Sequence, residues 1–133
     1  MTMKIIYFTA LGALFMFLGV ALGALGSHAL SDRLSPAALN SFEVAVRYLL
    51  IHGIVLVFYA QLPIANESLQ QFVAQGFLWG IILFSGSILV LSTKALHGWS
   101  VGFLGPVTPV GGLILLGAWG ALFVYFLKTA FYA

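Results

Sequence analysis

Few residues in this chain of 133 can do chemistry, and their positions group them. His28, His52 and His97 are the three imidazoles. Glu43 and Arg47 stand four apart, Tyr48 follows, and His52 is four residues further on. Ser85 and Ser87 interrupt an apolar run, and Thr108 precedes a proline. Imidazoles can carry protons, bind metals or hold a haem. A haem held by two histidines needs them at matching depth on facing helices, and only His52 lies deep in an apolar run. A zinc site needs three or four ligands close together. His28, His97 and Glu43 could converge, but no local spacing points to it. A Ser-His-Asp arrangement would have only Asp32 and Glu43 as its acid. No glycine loop has phosphate-cradling spacing. With no cysteine, disulfides, thiolate metal sites and cysteine nucleophiles are excluded. No cofactor and no catalytic set is expected.

The elements that must position these residues are set by composition. The chain is 62% hydrophobic and 6% charged. Soluble domains carry about 25% charged residues. So few charges cannot cover a water-facing surface, and the chain must face lipid as one domain over residues 1–133. A net charge of +2 without a basic stripe does not suit nucleic acid. Aromatic residues, at 15%, fit anchoring at membrane interfaces.

Four apolar runs reach spanning length, which is about 20 residues for a bilayer core of about 30 Å. They are expected over 5–25, 44–62, 72–91 and 110–127. Lys4, the first run and Ala24-Leu25-Gly26 resemble a cleaved leader, but the run has spanning rather than leader length. Gly19 and Gly23, then Gly76 and Gly80, give the Gly-x-x-x-Gly spacing that lets helices approach closely. Ser35-Pro36 and Thr108-Pro109 each read as an N-cap followed by proline at the first helical position. Pro63 to Gln71 reads as a short polar turn, and Asn66-Glu67-Ser68 as a chance glycosylation sequon.

Four spans return the chain to its starting side. The expected fold is an all-α integral membrane four-helix bundle with both termini on one side, side A. Lysine and arginine are nearly balanced between the sides, so they do not decide orientation. At about 1.5 Å per residue, His52 falls roughly 12 Å inside the side B boundary at Val44. Ser85 and Ser87 fall roughly 6–9 Å inside it. Glu43, Arg47 and Tyr48 sit at the mouth, with His28 and Thr108 on the same side. The expectation is a polar pocket in the side B half, built from His28, Glu43, Arg47, Tyr48, His52, Ser85, Ser87 and Thr108. Side A is expected to hold almost nothing comparable. Ionisable groups inside a span face the bundle interior and find partners. Arg47 would pair with Glu43, and neutral His52 with a hydroxyl or a carbonyl.

The ordered set Gly23-Ala-Leu-Gly-Ser-His-Ala-Leu30, Arg47-Tyr48 with His52, Phe84-Ser-Gly-Ser87, Thr108-Pro-Val-Gly-Gly112 and Gly117-Ala-Trp119 resembles the YgdD-like family of small bacterial inner-membrane proteins. It covers nearly the whole chain. Leu25, Ser27 and Ile88 depart from the family pattern. The resemblance implies a four-helix inner-membrane protein in a family of unknown function, and implies no activity.

Three functions stay open on the sequence. The first is a non-catalytic bundle, alone or as an accessory subunit of a larger membrane assembly. The second is an oligomeric transporter or channel with His52 and Arg47 in the path. The third binds a lipid or quinone-like molecule. The expected partners are the lipid bilayer and a homo-oligomer or larger membrane complex.

Overall fold

The computed structural model describes residues 3–59 and 61–132. Residues 1, 2, 60 and 133, which the one-domain expectation also covers, lie outside the described residues. Helix α1 runs Met3–Leu25 and continues through a π-helical turn at Gly26–Leu30. Helix α2 covers Pro36–Tyr59 and α3 covers Glu67–Ser92. After the short α4, Lys94–His97, and a 3-10 turn at Gly102–Leu104, α5 runs Val107–Tyr132. Four of these segments are long and apolar enough to cross a membrane. Short connections force antiparallel neighbours, so the chain is an all-α four-helix bundle whose termini share a side.

Local chemistry sets the helix starts. The Ser35 hydroxyl accepts from the Ala38 amide at 3.2 Å, so α2 begins at Pro36 as the Ser-Pro pair predicts. Asn66 caps α3 in the same way, its Oδ1 accepting from the Leu69 amide at 3.0 Å. The polar stretch expected as a turn up to Gln71 is therefore helical from Glu67 onward. Thr108 corrects a second expectation. It lies inside α5 rather than capping it, and Pro109 is the third residue of that helix. The first four amides of a helix have no intrahelical acceptor, so proline loses no bond there. Thr108 is left free to reach a neighbouring helix.

The helices pack in sequence order, α1 on α2, α2 on α3, and α3 on α5. Helices α2 and α3 are the central pair, and Leu56, Val73, Phe77 and Ile81 are fully buried between the elements. Two backbone approaches hold the outer helices close. A side chain at Gly12 would lie 2.7 Å from the Gly53 carbonyl oxygen and 2.8 Å from the Val57 nitrogen. A side chain at Gly111 would collide with the backbone of Phe84 and Gly80. Without a hydrophobic drive between helices in lipid, such small-residue contacts carry the association through dispersion. The Gly-x-x-x-Gly faces are thus used inside the chain. Gly19 meets Leu50, Gly76 meets Ala118, and Gly80 meets Leu115.

Candidate functional site

His52 is 4% exposed and stands sixteen residues along α2 from Pro36, about 24 Å from that end. Helix α2 begins eight residues before the apolar run at Val44, so this position and the roughly 12 Å expected from Val44 are the same. Its Nδ1 lies 2.9 Å from the Tyr48 carbonyl, and its Nε2 lies 3.3 Å from the indole nitrogen of Trp119 on α5. A carbonyl only accepts and an indole N–H only donates. These partners select the neutral imidazole, with Nδ1–H donating to Tyr48 and Nε2 accepting from Trp119. Phe77 packs edge-on to the Trp119 ring, with centroids 4.9 Å apart. Both nitrogens of His52 are committed.

Of the remaining expected residues, only Tyr48 meets His52. Ser85, 1% exposed, donates from α3 to the Ala45 carbonyl of α2 at 2.8 Å. The Ser87 hydroxyl lies 2.6 Å from that of Thr108 and so joins α3 to α5. Tyr48 stacks on His52 and leans against Phe84, with ring centroids 6.0 and 4.7 Å away. Glu43 and Arg47 are exposed and open onto a different groove, about 320 Å³, between α1 and α2. His28 is exposed in the π-helical turn. His97, singled out for its residue type, closes a helix end. Its ring lies 3.1 Å from the Val90 carbonyl and accepts from the Trp99 amide at 3.1 Å.

Side A is not bare, contrary to the sequence expectation. The buried Tyr59 hydroxyl donates to the Gln70 carbonyl at 3.1 Å, tying α2 to α3. The Tyr125 hydroxyl of α5 accepts from the Ala65 amide at 3.1 Å. These two tyrosines carried no sequence signal, because a tyrosine near a span end reads equally as an interface anchor. The polar side chains form a series of ties at successive heights rather than one cluster. Among the described residues, every buried side-chain nitrogen and oxygen except Thr9 Oγ1 has a hydrogen-bond partner. No three histidine, aspartate or glutamate side chains among the described residues come together in a metal-binding group.

One larger cavity remains beside His52. It is a groove of about 600 Å³ between α2 and α5, floored by Phe84 and walled by Tyr48, His52, Gly112, Leu116 and Trp119. Its walls are almost wholly apolar.

Comparison with known proteins agrees with this architecture. Residues 22–112 match the family described as a protein of unknown function, DUF423. A UPF0382 membrane protein of Staphylococcus epidermidis is 32% identical over 123 residues, covering 92% of this chain and 97% of that protein. The UPF0382 membrane protein YwdK of Bacillus subtilis is 32% identical, covering 84% of this chain and 89% of its own length. A UPF0382 membrane protein of Schizosaccharomyces pombe is 34% identical, with 84% and 94% covered. No solved structure matches. The relatives are membrane proteins by name, this chain carries four helices of spanning length, and the matched segment makes the assignment: this multi-pass membrane protein of unknown activity belongs to the DUF423 family.

Proposed function

We propose that this protein is a non-catalytic helix bundle acting as a subunit of a larger membrane assembly, in the inner membrane of a bacterial cell. Within its family it would group with the YgdD-like proteins its motifs resemble. The observation that carries the reading is the fate of the buried polar groups. His52, Ser85 and Ser87 each bond to a neighbouring helix or to their own backbone, and among the described residues the one buried polar side-chain atom left without a partner is the lone hydroxyl of Thr9, with no acid or base bonded to it. A chain whose internal chemistry is spent on its own packing has its outer faces left for function. The separation of Arg47 from His52 onto different grooves lends no support to a shared transport path. Native mass spectrometry of gently solubilised membranes tests the proposal. Retention of a second polypeptide is expected; a lone monomer that copurifies with nothing would overturn it.

The groove beside His52 favours a second reading, in which an apolar chain or flat ring enters laterally from the bilayer. A Cβ at Gly112 would reach the Phe84 ring at 3.6 Å without collision, so Gly112→Leu would fill the groove while sparing the fold. A small apolar molecule recovered with the wild type and lost from this variant supports lateral binding. Equal recovery from both removes it.

A further inference from the structure

Helix α3 packs against α2 on one side and α5 on the other, and one stripe of it remains open. Phe72, Gln75, Trp79 and Ile82 recur along that stripe at helical spacing, and all four are exposed. Gln75 is the exception in chemistry. It stands eight residues into α3 from Glu67, about 12 Å along a helix that crosses the membrane. Its Oε1 accepts from the Trp79 indole at 3.0 Å. That bond pins the carboxamide to the deeper side of the turn rather than letting it reach towards the interface. Its NH₂ carries two donors, and lipid tails offer no acceptor.

We propose that this face of α3 binds a second copy of the chain, with the two Gln75 carboxamides bonding reciprocally across a two-fold axis along the membrane normal. The inference rests on the subunit reading above and names the partner. Two observations select a like copy. The first is depth: copies inserted in the same orientation place Gln75 at the same level, so the two amides meet without adjustment. The second is hydrogen-bond complementarity. Trp79 uses one lone pair of Oε1, and the second lone pair of each copy accepts from the NH₂ of the other. A groove of about 480 Å³ between α3 and α5 flanks Gln75, and Gly117 in its wall has no atom within 4 Å of where a Cβ would lie. The partner's Phe72 or Trp79 ring can seat there.

The natural chain lacks cysteine, so single cysteines report contacts cleanly. Phe72→Cys should form a disulfide-linked dimer on mild oxidation in native membranes. Phe123→Cys, on an exposed face of α5 turned away from this stripe, should not. Adding Gln75→Leu to Phe72→Cys should lower the cross-linked fraction about three- to tenfold, the effect of losing an interhelical amide bond. The Gln75 side chain is exposed and its hydrogen bond stays within α3, so thermal stability of the solubilised monomer should stay unchanged and exclude misfolding as the cause. Equal cross-linking at 72 and 123, or insensitivity to Gln75→Leu, overturns the proposal. If Phe72→Cys gives no dimer while another polypeptide still copurifies, the like-copy partner is removed and the subunit reading stands. A lone monomer removes both.

Discussion

The indole N–H of Trp119 reaches Nε2 of His52 across 3.3 Å and joins α5 to α2, two helices with no backbone contact. This single bond crosses the α2–α5 groove. It also makes His52 an acceptor on that side. Trp119→Phe keeps the ring packing against Phe77 but strands Nε2 in a buried site. The expected cost is about 1–3 kcal/mol for the unsatisfied acceptor, nearer the low end in a membrane. His52→Leu removes both ring nitrogens and strands instead the indole N–H of Trp119, a half-exposed residue where His52 is buried, and should cost less than Trp119→Phe. Reversible unfolding in detergent compares the two. A larger loss for His52→Leu would show that the histidine contributes through something other than this bond.

The close backbone contact of α1 with α2 makes a contrasting prediction. At Gly12 an added Cβ meets backbone atoms of α2, which no rotamer change can relieve. At Gly120 it meets open space. Gly12→Val should separate the helices and cost at least about 1–3 kcal/mol, as overpacking does. Gly120→Val should be within about 0.5 kcal/mol of the wild type. Thermal unfolding of the two variants in the same detergent distinguishes them. Equal stability would mean the α1–α2 approach is looser than the Gly12–Gly53 geometry requires.

The capping of α3 gives a local test. The Asn66 side chain satisfies one otherwise unpaired amide at the helix start. Asn66→Ala should destabilise the protein by about 0.5–2 kcal/mol, and Asn66→Asp should retain most of the cap. Hydrogen exchange at the Leu69 amide should rise in the alanine variant alone. Unchanged protection would show that tertiary packing, not the cap, holds the first turn.

Span number, side of the termini and the Ser35-Pro36 start were legible because each follows from a run of residues or an adjacent pair. The arrangement of polar contacts was not. Depth along one helix places Ser87, Thr108 and His52 at levels but says nothing about azimuth. Azimuth decides that Arg47 opens towards α1 while His52, five residues later, faces α5. Helix α2 begins at Pro36, before the apolar run at Val44, and carries Asn40, Glu43 and Arg47 on exposed faces. The role of Trp119 is hidden for a related reason: its donor is visible in the sequence and its acceptor, sixty-seven residues earlier, is not.

The Ser87–Thr108 contact carries a prediction about coupling. Ser87 has one proton and lies 3.0 Å from the Phe84 carbonyl, which can only accept. Ser87 therefore gives its proton to Phe84, and Thr108 must donate to the Ser87 oxygen across the 2.6 Å contact. Thr108→Val deletes the donor at nearly constant shape. Ser87→Ala deletes the acceptor and leaves the Thr108 hydroxyl to find its own helix carbonyl. Each single variant should lose about 0.6–1.7 kcal/mol, the range for interhelical bonds inside membranes. The double variant should lose little more than either one, because both remove the same bond. Unfolding of the four proteins in one detergent completes the cycle. Strictly additive losses would mean that the two hydroxyls are held by their own helices and that α3 and α5 are joined by packing alone, at Gly76, Gly80 and Gly111.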